Sequence, residues 1–226
     1  MKKRRRSKNG KSGKPDRRKT RRTAAQRRAR QNLGRFSAMW SDLTEPQRTT
    51  WRHRSQEADR VVRHGRYYRL SAQQLFNKIN SVLALCHREP RAEAPPIPSF
   101  GPNPVGPLTI TRDAESLALM LSVRGTPAED IMVFASPPQK AGRAYCGDYR
   151  FIGLLPAPVK HFSDIARLYI RKYGVPPANT RIFIRTWQQV DGWECRGQMH
   201  LTDALVPARV WTLHSQPRRR LGGEKG

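Results

Sequence analysis

Lys2, Lys3, Arg4, Arg5, Arg6, Arg17, Arg18, Lys19, Arg21, Arg22, Arg27, Arg28 and Arg30 set a dense run of fixed positive charge at the start of the chain. The first 35 residues hold 17 of the 44 Lys and Arg residues and one acid, Asp16, so 17 minus 1 leaves +16 of the formal +27. The chemistry such a run can do is capture of a polyanion. Each cation that neutralises a phosphate releases a condensed counterion, and no folded site is needed for that. Contacts of this kind position a protein on a nucleic acid without reading its bases. These thirteen residues are the candidate nucleic-acid-binding set.

Other groupings carry weaker chemistry. Arg63, Arg66, Tyr67, Tyr68 and Arg69 interleave cations with aromatics, a mixture suited to stacking on exposed bases. The plainer reading, which is preferred, is a loop between two helices whose tyrosines lean on a helical core. His53, His64, His87, His161, His200 and His214 show no metal-ligand spacing, and Cys86, Cys146 and Cys195 form no Cys-x-x-Cys pair. Three structural thiols in a reducing compartment are the simplest account, with a Cys146–Cys195 disulfide as the alternative. Asp148 and Asp164 are lone acids, and no glycine-rich phosphate loop or nucleophile elbow is present. The segments Pro137–Arg143 and Pro156–Pro158 read as rigid strand terminators or as recognition loops. A non-enzymatic protein without cofactor or metal is expected.

The elements that must position these residues follow from composition. Residues 1–22 have no apolar residue after Met1, so nothing offsets the entropy of ordering, and a disordered arm is expected. No apolar run long enough to span a membrane occurs, and no apolar region after Met1 suggests a secretory signal. A cytoplasmic protein is expected. Residues 23–89 read as a basic helical unit, either a helical hairpin or three helices. An Arg-rich helix starts near Thr23 and is interrupted at Gly34. A second begins at the capping box Thr44/Gln47, carries Trp51, Ala58 and Val62 on one face, and runs to Gly65. A third begins at the capping box Ser71/Gln74, with Leu75, Phe76, Ile79, Val82, Leu83 and Cys86 on one stripe.

Seven prolines in residues 90–107 predict a stiff linker at a domain boundary. In residues 108–209 the period falls to two. Strands are predicted at Leu108–Thr111, Ser116–Val123, Ile131–Ser136, Tyr149–Leu155, Arg181–Val190 and Trp193–His200, the last two joined by the hairpin signal Asp191-Gly192. Ser163–Tyr173 reads either as a helix capped by Ser163 or as a strand with Ala166, Leu168 and Ile170 inward. Six or seven short strands at this spacing imply an antiparallel β-sandwich, followed by a flexible basic tail over residues 210–226. The fold class is therefore a multi-part α+β chain.

Gly174-Val-Pro-Pro-Ala-Asn-Thr-Arg-Ile-Phe-Ile-Arg-Thr186, followed by Asp191-Gly192, resembles the turn into the penultimate strand of fibronectin type III domains. Asn179 stands as an insertion in that pattern, Ile182 takes the place of the corner tyrosine, and Ser116–Val123 lacks the early-strand tryptophan. The resemblance covers about half the chain and implies a fibronectin type III-like sandwich, an architecture used as adaptor and spacer. Trp40-x-x-Leu43-Thr44-x-x-Gln47-Arg48-x-x-Trp51 and Leu70-Ser71-x-x-x-Leu75-Phe76-x-x-x-Asn80 give a layout similar to uncharacterised bacterial proteins of comparable length. The same segments resemble HMG-box helices in reverse order along the chain. Together these features imply a binding protein that contacts DNA or RNA through its basic arm and a protein partner through the sandwich. The rival expectation is an assembly component, of a phage-like particle or surface complex, acting through the sandwich.

Overall fold

The computed structural model describes residues 24–63, 65–113 and 116–208 of this chain. The expected arm over residues 1–22 and the tail over 210–226 lie outside the described residues. The protein is α+β, with four helices and antiparallel sheets among the described residues.

Helix α1 spans Ala24–Asp42 and α2 spans Glu45–Glu57. The expected break at Gly34 does not occur. A mid-helix glycine costs about 1 kcal/mol relative to alanine. Against that, continuing the helix delivers Phe36, Met39 and Trp40 to a core with Trp51, Leu75, Phe76 and Ile79. Burying one such side chain is worth about 1.5–3 kcal/mol, so burial wins. The Thr44 capping box forms as predicted, with the Thr44 amide donating to Gln47 Oε1 at 2.9 Å. The run to Gly65 does not form. α2 stops at Ala58, and β1 (Val61–Arg63) pairs with β2 (Arg66–Tyr68) as an antiparallel hairpin. Val61, Val62, Tyr67 and Tyr68 are β-branched or aromatic, and Gly65 at φ +72° turns the chain, so strand propensity prevails over helix extension. Helix α3, Ala72–Leu85, opens on the predicted Ser71/Gln74 capping box and buries Leu75, Phe76, Ile79, Val82 and Leu83.

The Pro-rich segment is hydrogen-bonded to the helices along its first part. Trp51, fully buried, donates its indole N–H to the Ala92 carbonyl at 2.7 Å. The Ala94 amide donates to the Thr50 hydroxyl at 3.1 Å. Strand β3 begins at Val105, inside the predicted linker, and runs to Arg112.

β3 pairs with β4 (Leu117–Val123), which pairs with β8 (Phe162–Asp164), to make one three-stranded sheet. The other sheet takes the order β7 (Arg150–Leu154), β5 (Asp130–Ala135), β9 (Thr180–Val190), β11 (His200–Leu205). β6 (Gln139–Lys140) and β10 (Trp193–Glu194) pair with the two ends of β9. The sheets enclose Leu108, Ile110, Leu119, Leu121, Ile131, Val133, Ile152, Ile182 and Ile184. β5 reads as one apolar run because both its faces are covered. Ile131 and Val133 enter the sandwich core, while Met132 clusters with Val82 of α3, Cys86 at its C-cap and Trp187 of β9.

Two predicted elements differ. Trp193–His200 is not one strand: β10 is followed by a 3-10 turn at Arg196–Gln198 and then by β11. In Ser163–Tyr173 the first two residues finish β8, and α4 covers Ala166–Tyr173. Ser163 does not cap it, since its hydroxyl donates to the Pro156 carbonyl at 2.7 Å. The Asp164 carboxylate instead accepts the Ala166 amide at 2.9 Å and the Leu119 amide at 3.1 Å.

Candidate nucleic-acid interface

Of the thirteen predicted contact residues, Arg27, Arg28 and Arg30 are described, and all three are exposed on the first half of α1. Lys2, Lys3, Arg4, Arg5, Arg6, Arg17, Arg18, Lys19, Arg21 and Arg22 lie outside the described residues. Arg35 joins the exposed set one turn further on. At 3.6 residues per turn, these four arginines fall within an arc of about 160°, centred about 150° away from the arc of Phe36, Met39 and Trp40. The apolar arc packs against α3, so Arg27 and Arg30 point away from it, while Arg28 and Arg35 border it and the Arg35 guanidinium lies 5.7 Å from the centre of the Phe36 ring. No acid occurs between Ala24 and Ser41 to neutralise them. α1 is thus a helix anchored by its second half that displays cations on its first.

The rest of the basic helical unit is balanced differently. Arg52 pairs with Glu45 and Arg54 with Glu57 on α2, and Arg48 donates to the Ser41 carbonyl at 2.7 Å. On the β1–β2 hairpin, Arg66 and Arg69 are exposed and Tyr67 is 72% exposed. The preferred expectation, that these tyrosines lean on the helical core, fails for Tyr67. The segment forms a hairpin, not a loop, and alternation along β2 turns Tyr67 and Tyr68 to opposite faces. Tyr68 is half-buried and Tyr67 is not.

The two acids singled out in the sequence both have partners. Asp148 pairs with Arg150, and Asp164 serves the β8–α4 junction. A cleft of about 550 Å³ opens between α3, the Pro-rich segment and the β9–β10 hairpin, lined by Arg88, Arg91, Glu129, Asp130 and Asp191 among others. Its charges cross-link its walls: Arg88 donates to Asp130 at 3.1 and 3.2 Å, and Arg91 pairs with Asp191. Sequence reasoning missed these pairs, because 42 and 100 residues separate the partners. On α3, burial lowers the Lys78 ammonium pKa, an effect that Glu194 opposes and Arg196 reinforces. Cys86, Cys146 and Cys195 are all free. Among the described residues no group of His, Cys, Asp and Glu gathers as a metal site would need, and no helix is long and apolar enough to cross a membrane.

No protein-family model, no curated protein and no solved structure matches this chain.

Proposed function

We propose that this is a non-enzymatic binding protein that holds nucleic acid, DNA or RNA, by its backbone through the basic N-terminal arm and the first half of α1. The observation that carries this reading is the segregation on α1. Arg27, Arg28, Arg30 and Arg35 are exposed and opposed by no acid within the helix up to Ser41, and Arg27 and Arg30 face away from the side that packs. They continue the charge run of residues 2–22 onto a rigid mount. Binding is steeply salt-dependent and nearly indifferent to sequence, as counterion release requires. The test is a salt titration of the intact chain beside a version lacking residues 1–35. That deletion spares the core, because the anchoring residues begin at Phe36.

The sandwich, on this reading, is fibronectin type III-like and serves protein contacts. Two observations support that role. Its main strands divide three against four, with β8 returning to β4 and β7 to β5. On the edge strand β11, Leu201 and Leu205 are 51% and 44% exposed and share one face with Asp203, which pairs with Arg181. The same mixed apolar and charged edge favours the second reading, an assembly component of a particle or surface complex working through the sandwich. Self-association that survives loss of residues 1–35, with no nucleic-acid binding by either version, would select it. The three free thiols favour a reducing, cytoplasmic setting.

A further inference from the structure

The β1–β2 hairpin is the part of the helical unit that the core does not claim. Ala58 before it and Leu70 after it both pack on the helical core. Between them the two strands pair only with each other, as a separate two-stranded sheet. A hairpin of this size is marginal without a buried face, so its residues are better explained by what they display than by what they stabilise. One feature breaks a local stability rule. Tyr67 leaves 72% of itself in water, forgoing the burial open to an aromatic ring. Arg60, Arg66 and Arg69 in the same segment are exposed too, Arg66 on the face opposite Tyr67. An exposed ring among exposed cations, on a hairpin that the core does not claim, marks a functional surface.

We propose that this hairpin is a base-stacking finger. Tyr67 lies flat on an unpaired nucleobase while the exposed Arg60 and Arg69 hold the flanking phosphates, so the protein prefers single-stranded over duplex nucleic acid. A ring can reach a base face only where the base is unstacked, which excludes the interior of a duplex. Tyr68, on the opposite face, is half-buried and leaves Tyr67 as the ring free to stack. This inference rests on the polyanion reading above and adds a preference that the arm alone lacks, since backbone contacts do not distinguish paired from unpaired bases.

The experiment measures binding of the intact chain, Tyr67→Ala and Tyr67→Phe to an oligothymidylate, an oligouridylate and a blunt duplex at one salt concentration. Tyr67→Ala should weaken single-strand binding by about 5- to 150-fold, the range of one lost base–aromatic stack, and leave duplex binding unchanged. Tyr67→Phe should bind like the intact chain, because stacking needs the ring and not the hydroxyl. A loss on both single strands assigns unpaired bases in general, and a loss on oligouridylate alone assigns RNA. The proposal is overturned if Tyr67→Ala binds single strands as the intact chain does, or loses as much on the duplex. Failure of the arm reading looks different: it appears as indifference to removal of residues 1–35. A chain that binds none of the three probes overturns both.

Discussion

Gly192, at the tip of the β9–β10 hairpin, lies so close to α3 that a Cβ added to it would stand 2.7 Å from both the carbonyl oxygen and Cγ2 of Ile79. Its φ of +88° is also one that side chains rarely adopt. The hairpin tip is therefore seated on the helix backbone, and glycine is required there for two independent reasons. Gly192→Ala should destabilise the protein by about 2–4 kcal/mol, combining left-handed strain with overpacking. A lower urea midpoint with an unchanged slope is the expected readout. A midpoint equal to that of the parent would show that the contact is not needed.

Asn80, fully buried on α3, makes a two-way bridge to the Pro-rich segment. Its Oδ1 accepts the Arg91 amide at 2.8 Å and its Nδ2 donates to the Arg91 carbonyl at 3.2 Å. Asn80→Ala strands both backbone groups, so a loss of about 2–4 kcal/mol is expected. Susceptibility to proteolysis should rise within residues 88–98 before it rises elsewhere, which limited digestion with mass spectrometry would locate.

How far these contacts could be read from the sequence depends on their range. The capping boxes at Thr44 and Ser71, the stripe on α3 and the Asp191-Gly192 turn are local patterns, and each formed. β11 was not legible, because its leucines are on the wrong side. Leu201 and Leu205 are exposed while His200, Thr202 and Ala204 are half-buried, so the usual alternation is inverted. By residue type alone Gly34 and Gly65 suggest helix ends, whereas packing of Phe36 and strand pairing of Val61 with Tyr68 set the outcome. At the candidate interface, the charge run is plain in the sequence. That α1 holds Arg27 and Arg30 opposite its packed face depends on the uninterrupted helix.

Burial first, and then the nearby Asp130 carboxylate, push the Cys86 thiol up to about 12. An unfolded thiol loses its proton near pH 8.5. Between those values the folded protein holds a proton that the unfolded chain has released. The Cys86 contribution is thus whole below about pH 8.5 and is lost as pH rises toward about 12. Lys78, with its pKa lowered by burial, acts with the opposite sign and favours the folded state as pH rises toward its unfolded value of about 10.4. Replacing Cys86 by alanine should therefore flatten the alkaline decline. Relative to the parent, the variant should lose about 1 kcal/mol less between about pH 7.5 and about pH 9.5, measured by urea unfolding under reducing conditions. Under native conditions a thiol reagent should reach half-buried Cys195 before buried Cys86 and Cys146.

The central claim is that the N-terminal cations neutralise a negatively charged polymer, and affinity measured across a range of salt concentrations tests it most directly. If six of the 17 positive residues in the first 35 each neutralise one phosphate, log K against log salt should fall with a slope of about −5 on duplex DNA. The version lacking residues 1–35 should lose most of both the affinity and the slope. Equal affinity and equal slope in the two versions, or no binding by the intact chain even at low salt, would contradict the account.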